Sequence, residues 1–199
     1  MDTIAQKQQF YQSLHHTLEA YLQQFPDEKD RLRELTTHAN NPDIDLRLRS
    51  TIPQGHLCAS GILVLPNKKI LMLKHKALGI WVVPGGHYDL TDQTLADTAI
   101  RETTEETSLR GVRLHPWHEA SGIPLDIDTH PIPERKEKNE GPHQHFDFRY
   151  LLTLDNPDEL LSQLTLDTNE VLDFKLFSPE EIDPNSSIAP ALRKLTIAL

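Results

Sequence analysis

Residues 84–109, PGGHYDLTDQTLADTAIRETTEETSL, constrain this 199-residue chain more than any other stretch. No glycine or proline interrupts 92–107, and Leu95, Ala96, Ala99 and Ile100 recur at helical spacing, which predicts a helix with Asp92 as its N-cap. Leu95, Ala99, Glu102 and Glu106 fall on one stripe of that helix, apolar in its first half and anionic in its second. Glu105 lies one turn beyond Glu102 and crowds the same arc. Like charges one turn apart are unfavourable by a few tenths of a kcal/mol, and anions near a helix C-terminus oppose the macrodipole by roughly 0.3–1 kcal/mol. A divalent cation among the carboxylates relieves both conflicts, and hard oxygen ligands suit Mg²⁺ or Mn²⁺ rather than zinc. The alternative is a solvated acidic helix end in which Arg101 pairs with Glu105 at i, i+4.

Gly85 and Gly86 weigh against that alternative. They follow Trp81, Val82 and Val83, which read as a strand, so a backbone free to adopt positive φ and approach a ligand stands just ahead of the acidic helix. Taken together, these residues resemble the Nudix box, G-x5-E-x7-R-E-U-x-E-E-x-G-U with U a bulky aliphatic residue. Arg101, Glu102, Glu105 and Glu106 match its R-E-x-x-E-E core, and WVVPGGH at 81–87 is the kind of run that often introduces it. Three features depart from the pattern. The Gly86-to-Arg101 spacing is one residue long, so the first glutamate falls at Asp92 or Gln93; Thr103 replaces an aliphatic residue; Ser108 replaces the closing glycine. The first change bears on anchoring of the helix, the last on a positive-φ helix stop that is costlier without glycine.

The resemblance implies an α/β/α sandwich with a mixed sheet. It also implies hydrolysis of a pyrophosphate bond in a nucleoside diphosphate linked to another moiety, a small phosphorylated substrate. It further implies that Glu102, Glu105 and Glu106, helped by the Gly86 carbonyl, hold Mg²⁺ or Mn²⁺, with a glutamate as general base. Glu105 is the candidate for that base, and Arg101 is expected to orient the glutamates.

A chain of this length buries about 70% of its unfolded surface, enough for one domain with an extension. The formal net charge of −10 argues against nonspecific nucleic-acid binding and makes a cation more necessary for an anionic substrate. Cys58 is the single cysteine and cannot form an intrachain disulfide; no long apolar run or signal-like segment is present. A cytoplasmic protein away from membranes is the expectation.

Ile4, Tyr11, Leu14, Leu18, Tyr21, Leu22 and Phe25 space an amphipathic helix that Pro26 ends, and a second helix is expected from Asp27 through Leu32 and Leu35. Residues 1–54 thus read as a helical extension and linker, too small for a core of their own. They could pack, cover substrate or pair two copies as a homodimer. Residues 55–199 read as the Nudix-like domain. Runs at 57–65 and 69–74 predict a hairpin; further strands are expected at 81–83, 111–114, 125–130, 143–154 and 171–177. Residues 131–142 read as a mobile surface loop, 155–167 as a turn with a short helix, Ser178 and Pro179 as a helix start, and 190–199 as the last helix. Strands mixed with one central helix and helical ends fit an α/β layered sandwich.

His143, His145, Asp147 and Arg149 alternate along 143–154 and share a face opposite Phe146, Phe148 and Tyr150. Such a face is expected to be solvent or a site, where Arg149 could hold a phosphate and the histidines, His130 with them, could meet substrate or a further metal. His87 and Tyr88, beside Gly86, are the other substrate candidates. His15, His16, His38, His56, His75, His115 and His118 have no context that raises them, Cys58 is expected to pack inside its strand, and a zinc-finger motif is excluded by the single cysteine. Two other functions stay open: a silent ligand-binding domain, suggested by Ser108 and the altered spacing, and an isoprenyl diphosphate isomerase, whose cysteine motif GHLCASG does not resemble.

Overall fold

The computed structural model describes residues 3–136 and 140–198. Its helices are α1 (Ile4–Gln24), α2 (Arg33–Ala39), α3 (Leu95–Thr107), α4 (Trp117–Ser121), α5 (Leu160–Gln163) and α6 (Ala189–Ala198). Its strands are β1 (His56–Leu63), β2 (Ile70–His75), β3 (Trp81–Val82), β4 (Gly85–His87), β5 (Val112–Leu114), β6 (Asp126–Ile132), β7 (His143–Leu154) and β8 (Val171–Phe177). β1, apolar on most positions and buried nearly throughout, is the centre of a mixed sheet. It runs parallel to β7 from His56↔His145 to Leu63↔Leu152 and antiparallel to β4. The far edge of β7 takes β6 and then β5, while β3, β2 and β8 form a second, antiparallel sheet. This is the mixed α/β architecture the sequence implies.

The expected hairpin does not form as a paired ribbon. After one bridge between Val64 and Ile70 the two runs part into different sheets, because β7 and β4 already occupy the edges of β1. The second helix also starts later than expected: a 3₁₀ turn at Pro26–Glu28 precedes α2. α4 has no strong periodic signal and is not anticipated. In the expected mobile loop, β6 continues to Ile132 and Arg135 bridges Glu140, with 137–139 outside the described residues.

Leu14, Leu18 and Tyr21 of α1 and Leu35 of α2 pack in one cluster with Ala59, Leu95, Ala99, Phe146 and Phe148. The N-terminal helices therefore share a core with β1, β7 and α3, and each large apolar side chain buried there contributes roughly 1.5–3 kcal/mol. On the other face of β7 lies a buried ionic hub. Asp126, 0% exposed, takes Lys194 Nζ at 2.6 Å, Arg31 Nη2 at 3.0 Å and Arg149 Nη1 at 3.3 Å, tying β6 to α6, β7 and the N-terminal region. Burial alone would raise this carboxyl; Arg149, Lys194 and Arg31 outweigh it and hold it below the usual carboxylate range.

Two predictions follow from these contacts. Ser108 ends α3 at φ 56° and is exposed, so Ser108→Gly should remove left-handed strain of about 1–2 kcal/mol, partly offset by glycine entropy. A rise in Tm of about 2 °C is expected, and a fall would contradict the strain. Asp126→Asn should cost about 1–3 kcal/mol in chemical denaturation, since Arg149, Lys194 and Arg31 each lose one charged partner but keep another, Asp128 and Asp147 for Arg149 and Glu28 for the other two. Because the folded pKa is depressed, the Asp126 contribution is present above the unfolded value of 3.8 and is lost as pH falls through the folded value. The variant should therefore show a shallower acid limb.

Candidate active site

The chain enters the site through β4, where Ser60↔Gly85, Ala59↔Gly86 and Cys58↔His87 pair across to β1. Neither glycine adopts positive φ, contrary to the expectation from the sequence. They are required for room instead. A Cβ on Gly86 would lie 2.4 Å from the Glu102 carboxyl carbon, and one on Gly85 would lie 2.4 Å from Ser60 Oγ. α3 approaches β1 equally closely: a Cβ on Gly61 would meet Thr103 Oγ1 at 2.3 Å. Thr103 fits where an aliphatic residue is usual because its hydroxyl is spent within the helix, donating to Ala99 O at 2.7 Å.

The cap of α3 is Thr94, not Asp92. Thr94 Oγ1 accepts from Asp97 N at 3.1 Å, and Asp97 Oδ2 accepts from Thr94 N at 2.9 Å. Asp92 has another task. Its carboxylate takes Arg101 Nε at 3.0 Å and Nη2 at 2.9 Å, and Thr98 Oγ1 at 2.8 Å, so it anchors the loop to the helix while Gln93 stays exposed. The same guanidinium donates to Glu102 Oε1 at 2.8 Å, Glu105 Oε2 at 3.0 Å and His87 O at 3.0 Å.

Glu106 is 9% exposed and accepts from Gly85 N at 3.3 Å. Burial pushes its carboxyl up to about 8, with the carboxylates of Glu102, Glu170 and Asp167 adding to the shift. Glu102 is raised as well, first by burial and then by Glu105 and Glu170. Glu105 is the open member, its side chain 59% exposed. Asp167 and Glu170 lie in the turn before β8, where Asp167 N donates to Glu106 O at 3.1 Å. Sequence reasoning did not single them out; the clue was a pair of acids in LDTNE just ahead of a strand. The donor set is all oxygen and largely carboxylate, and its members oppose one another's ionisation, which fits a hard divalent cation.

The polar face of β7 has the predicted alternation but is buried rather than open. Arg149 is 3% exposed and donates to Asp147 Oδ2 at 3.0 Å, Asp128 Oδ2 at 2.8 Å, Asp126 Oδ2 at 3.3 Å and Ser187 O at 2.5 Å. Its guanidinium is taken up inside the protein instead of meeting a phosphate. Tyr88 also turns inward, its ring 4.8 Å from Phe10 and its hydroxyl donating to Asp92 O at 2.9 Å. His87, His143 and His145 do come together, and His56 joins them, with ring centroids 4.7–5.2 Å apart. Burial lowers His56 to about 4 and His87 to about 3, with His143 and Arg49 adding to both shifts, so these rings are neutral. Nothing in the sequence around His56 marks it; only the pairing of β1 with β7 does.

An acidic helix laid over a glycine strand in a mixed α/β sandwich defines the class, and comparison with known proteins agrees. The chain belongs to the NUDIX family, whose domain matches residues 55–199. A Lactococcus lactis subsp. cremoris protein described as "Probable DHNTP pyrophosphohydrolase" is 34% identical over 117 residues, a match covering 59% of this chain and 66% of that one. The chain thus spans just under two thirds of that relative's length. A C. elegans Ap4A hydrolase binary complex superposes with a TM-score of 0.50 at 22% identity, covering 71% of this chain and 96% of that chain. The E. coli dihydroneopterin triphosphate pyrophosphohydrolase gives 0.50 at 15% identity, covering 72% and 96%. These two share the fold. No helix among the described residues is long and apolar enough to cross a membrane.

Arg101→Lys keeps the charge but loses the fork that spans Asp92, Glu102 and His87 O. Denaturant unfolding without added metal should show a loss of about 1.5–3 kcal/mol; an unchanged midpoint would show that the fork does not organise the site.

Proposed function

We propose that the protein is a Mg²⁺- or Mn²⁺-dependent pyrophosphohydrolase acting on a small phosphorylated heterocyclic substrate, a nucleotide or a pterin triphosphate. The observation that carries this reading is Glu106, a buried carboxyl pressed by Glu102, Asp167 and Glu170 beside the Gly85–Gly86 backbone. Glu102, Glu106 and the Gly86 carbonyl would hold the ion, with Glu105 as the movable third acid. Bound there, the ion would offset charge on the pyrophosphate oxygens and make an attacking water more acidic.

The chain's own residues then have distinct tasks. Glu105, exposed and hydrogen-bonded to Arg101, would accept a proton from the attacking water as the phosphorus–oxygen bond of the pyrophosphate breaks. Glu170, whose charge acts on Glu106 and Glu102, would be the alternative base. Arg101 is a positioning residue, holding the acids of α3 and the β4 backbone in register. Residues 1–54 serve as a packing extension of the domain at 55–199. The name of the L. lactis relative makes the pterin triphosphate the first substrate to test, with Ap4A, ADP-ribose and nucleoside triphosphates beside it.

With Mg²⁺, release of a monophosphate from at least one member of that panel is expected. Changing partners of a metal ligand commonly costs 10–100-fold, so Glu106→Gln should lower turnover by at least about 100-fold while the fold persists. Glu105→Gln and Glu170→Gln separate the bases, since loss of the base should flatten the alkaline-rising limb of the pH–rate profile. Tight binding without turnover would favour the silent domain, and rearrangement of an isoprenyl diphosphate would overturn the hydrolase reading.

A further inference from the structure

The sheet face turned away from α3 carries a cluster that the hydrolytic reading does not use. Gly86 meets Glu102 on one side of β4, whereas His87 projects to the other side, level with Cys58 of β1. His56, two residues before Cys58, stands opposite His145 of β7. One ligand atom from each of His56, Cys58, His87 and His145 can be chosen so that all lie within 4.8 Å of one another.

Two rings here, His56 and His143, lack partners that buried histidines ordinarily have. His56 is 1% exposed, and neither of its ring nitrogens has a hydrogen-bond partner. His143 faces Gly141 O through Nδ1 at 2.8 Å, leaving a buried Nε2 without a hydrogen bond. His118 shows what a purely structural buried histidine looks like in this chain: Leu151 N donates to its Nε2 at 2.9 Å and its Nδ1 faces Ile123 O at 2.9 Å. A buried polar group left unsatisfied is destabilising, so a ring with two of them calls for a ligand.

Three imidazoles and a thiol form a borderline-soft set, unlike the all-oxygen set on α3, and four such donors make a closed tetrahedral zinc site. Zinc–nitrogen distances of about 2.0–2.1 Å and a zinc–sulfur distance of about 2.3 Å put neighbouring ligand atoms roughly 3.3–3.8 Å apart. Ligand atoms no more than 4.8 Å apart would close by at most about 1.5 Å to reach that spacing. We propose that His56, Cys58, His87 and His145 bind one structural Zn²⁺. On binding, a zinc–sulfur bond replaces the Cys58 sulfur–hydrogen bond and one proton leaves to solvent. The ion would pin β4 to β1 and β7 and so steady, from the far side of the sheet, the strand against which Glu102 and Glu106 rest. It takes no part in the hydrolysis.

The test uses untagged protein produced with zinc, assayed by elemental analysis, then exchanged with Co²⁺ for optical spectra. About one zinc per chain is expected in the wild type and in a Glu102→Gln/Glu106→Gln double variant. Cys58→Ser should bind zinc at least about 10-fold more weakly and lack the near-ultraviolet thiolate-to-cobalt band. If Cys58→Ser does not fold, the wild-type cobalt spectrum decides: a tetrahedral, thiolate-bearing spectrum supports the site, and its absence overturns it. Folded wild-type protein without stoichiometric zinc also overturns the proposal, as does zinc that survives Cys58→Ser but vanishes in the glutamate double variant. The glutamate variants alone test the hydrolase reading, so the two can fail separately.

Discussion

The close seating of Glu102 on the backbone of Gly86 is the contact from which the rest of the active face follows. Without a Cβ there, α3 can bring its last turn down onto β4, and this burial raises Glu102 and Glu106 above the usual carboxylate range. Helix geometry, burial and the macrodipole all disfavour anions in this place. Arg101 answers part of the charge, and its five donors link α3 to Asp92 and to the His87 carbonyl. The unanswered remainder is the physical basis of the proposed metal site.

The sheet keeps two chemistries apart. Pairing of β1 with β7 sends Ala59, Phe146 and Phe148 toward α1 and α3 and sends His56, Cys58, His145, Asp147 and Arg149 the other way. Along that second face the character changes from imidazole through an ionic hub to the apolar Ile62 and Leu151. Hard oxygen donors lie on one side of β4 and nitrogen and sulfur donors on the other, within one three-residue strand.

Much of this was legible in the residues themselves. The acidic stripe of α3, the bounds of β7 and β8 and the helical N-terminus all follow from periodicity, because those segments are long and their patterns unambiguous. What escaped depends on partners distant in the chain. Asp92 resembles an N-cap until Arg101 is seen to claim it; Gly85 and Gly86 resemble a turn until Ser60 and Glu102 fill the space above them. Arg149 resembles a phosphate ligand because its three aspartates come from two strands whose pairing no local pattern states. His56 and Glu170 are likewise ordinary residues until β1 meets β7 and the turn before β8 meets the end of α3.

Anomalous diffraction from crystals soaked in Mn²⁺ tests the central claim most directly, because it locates the ion independently of any substrate. A manganese peak among Glu102, Glu106 and the Gly86 carbonyl is the predicted result. Absence of a peak, with Glu102 and Glu105 still held by Arg101 and Glu106 still closed on Gly85 N, would contradict the account.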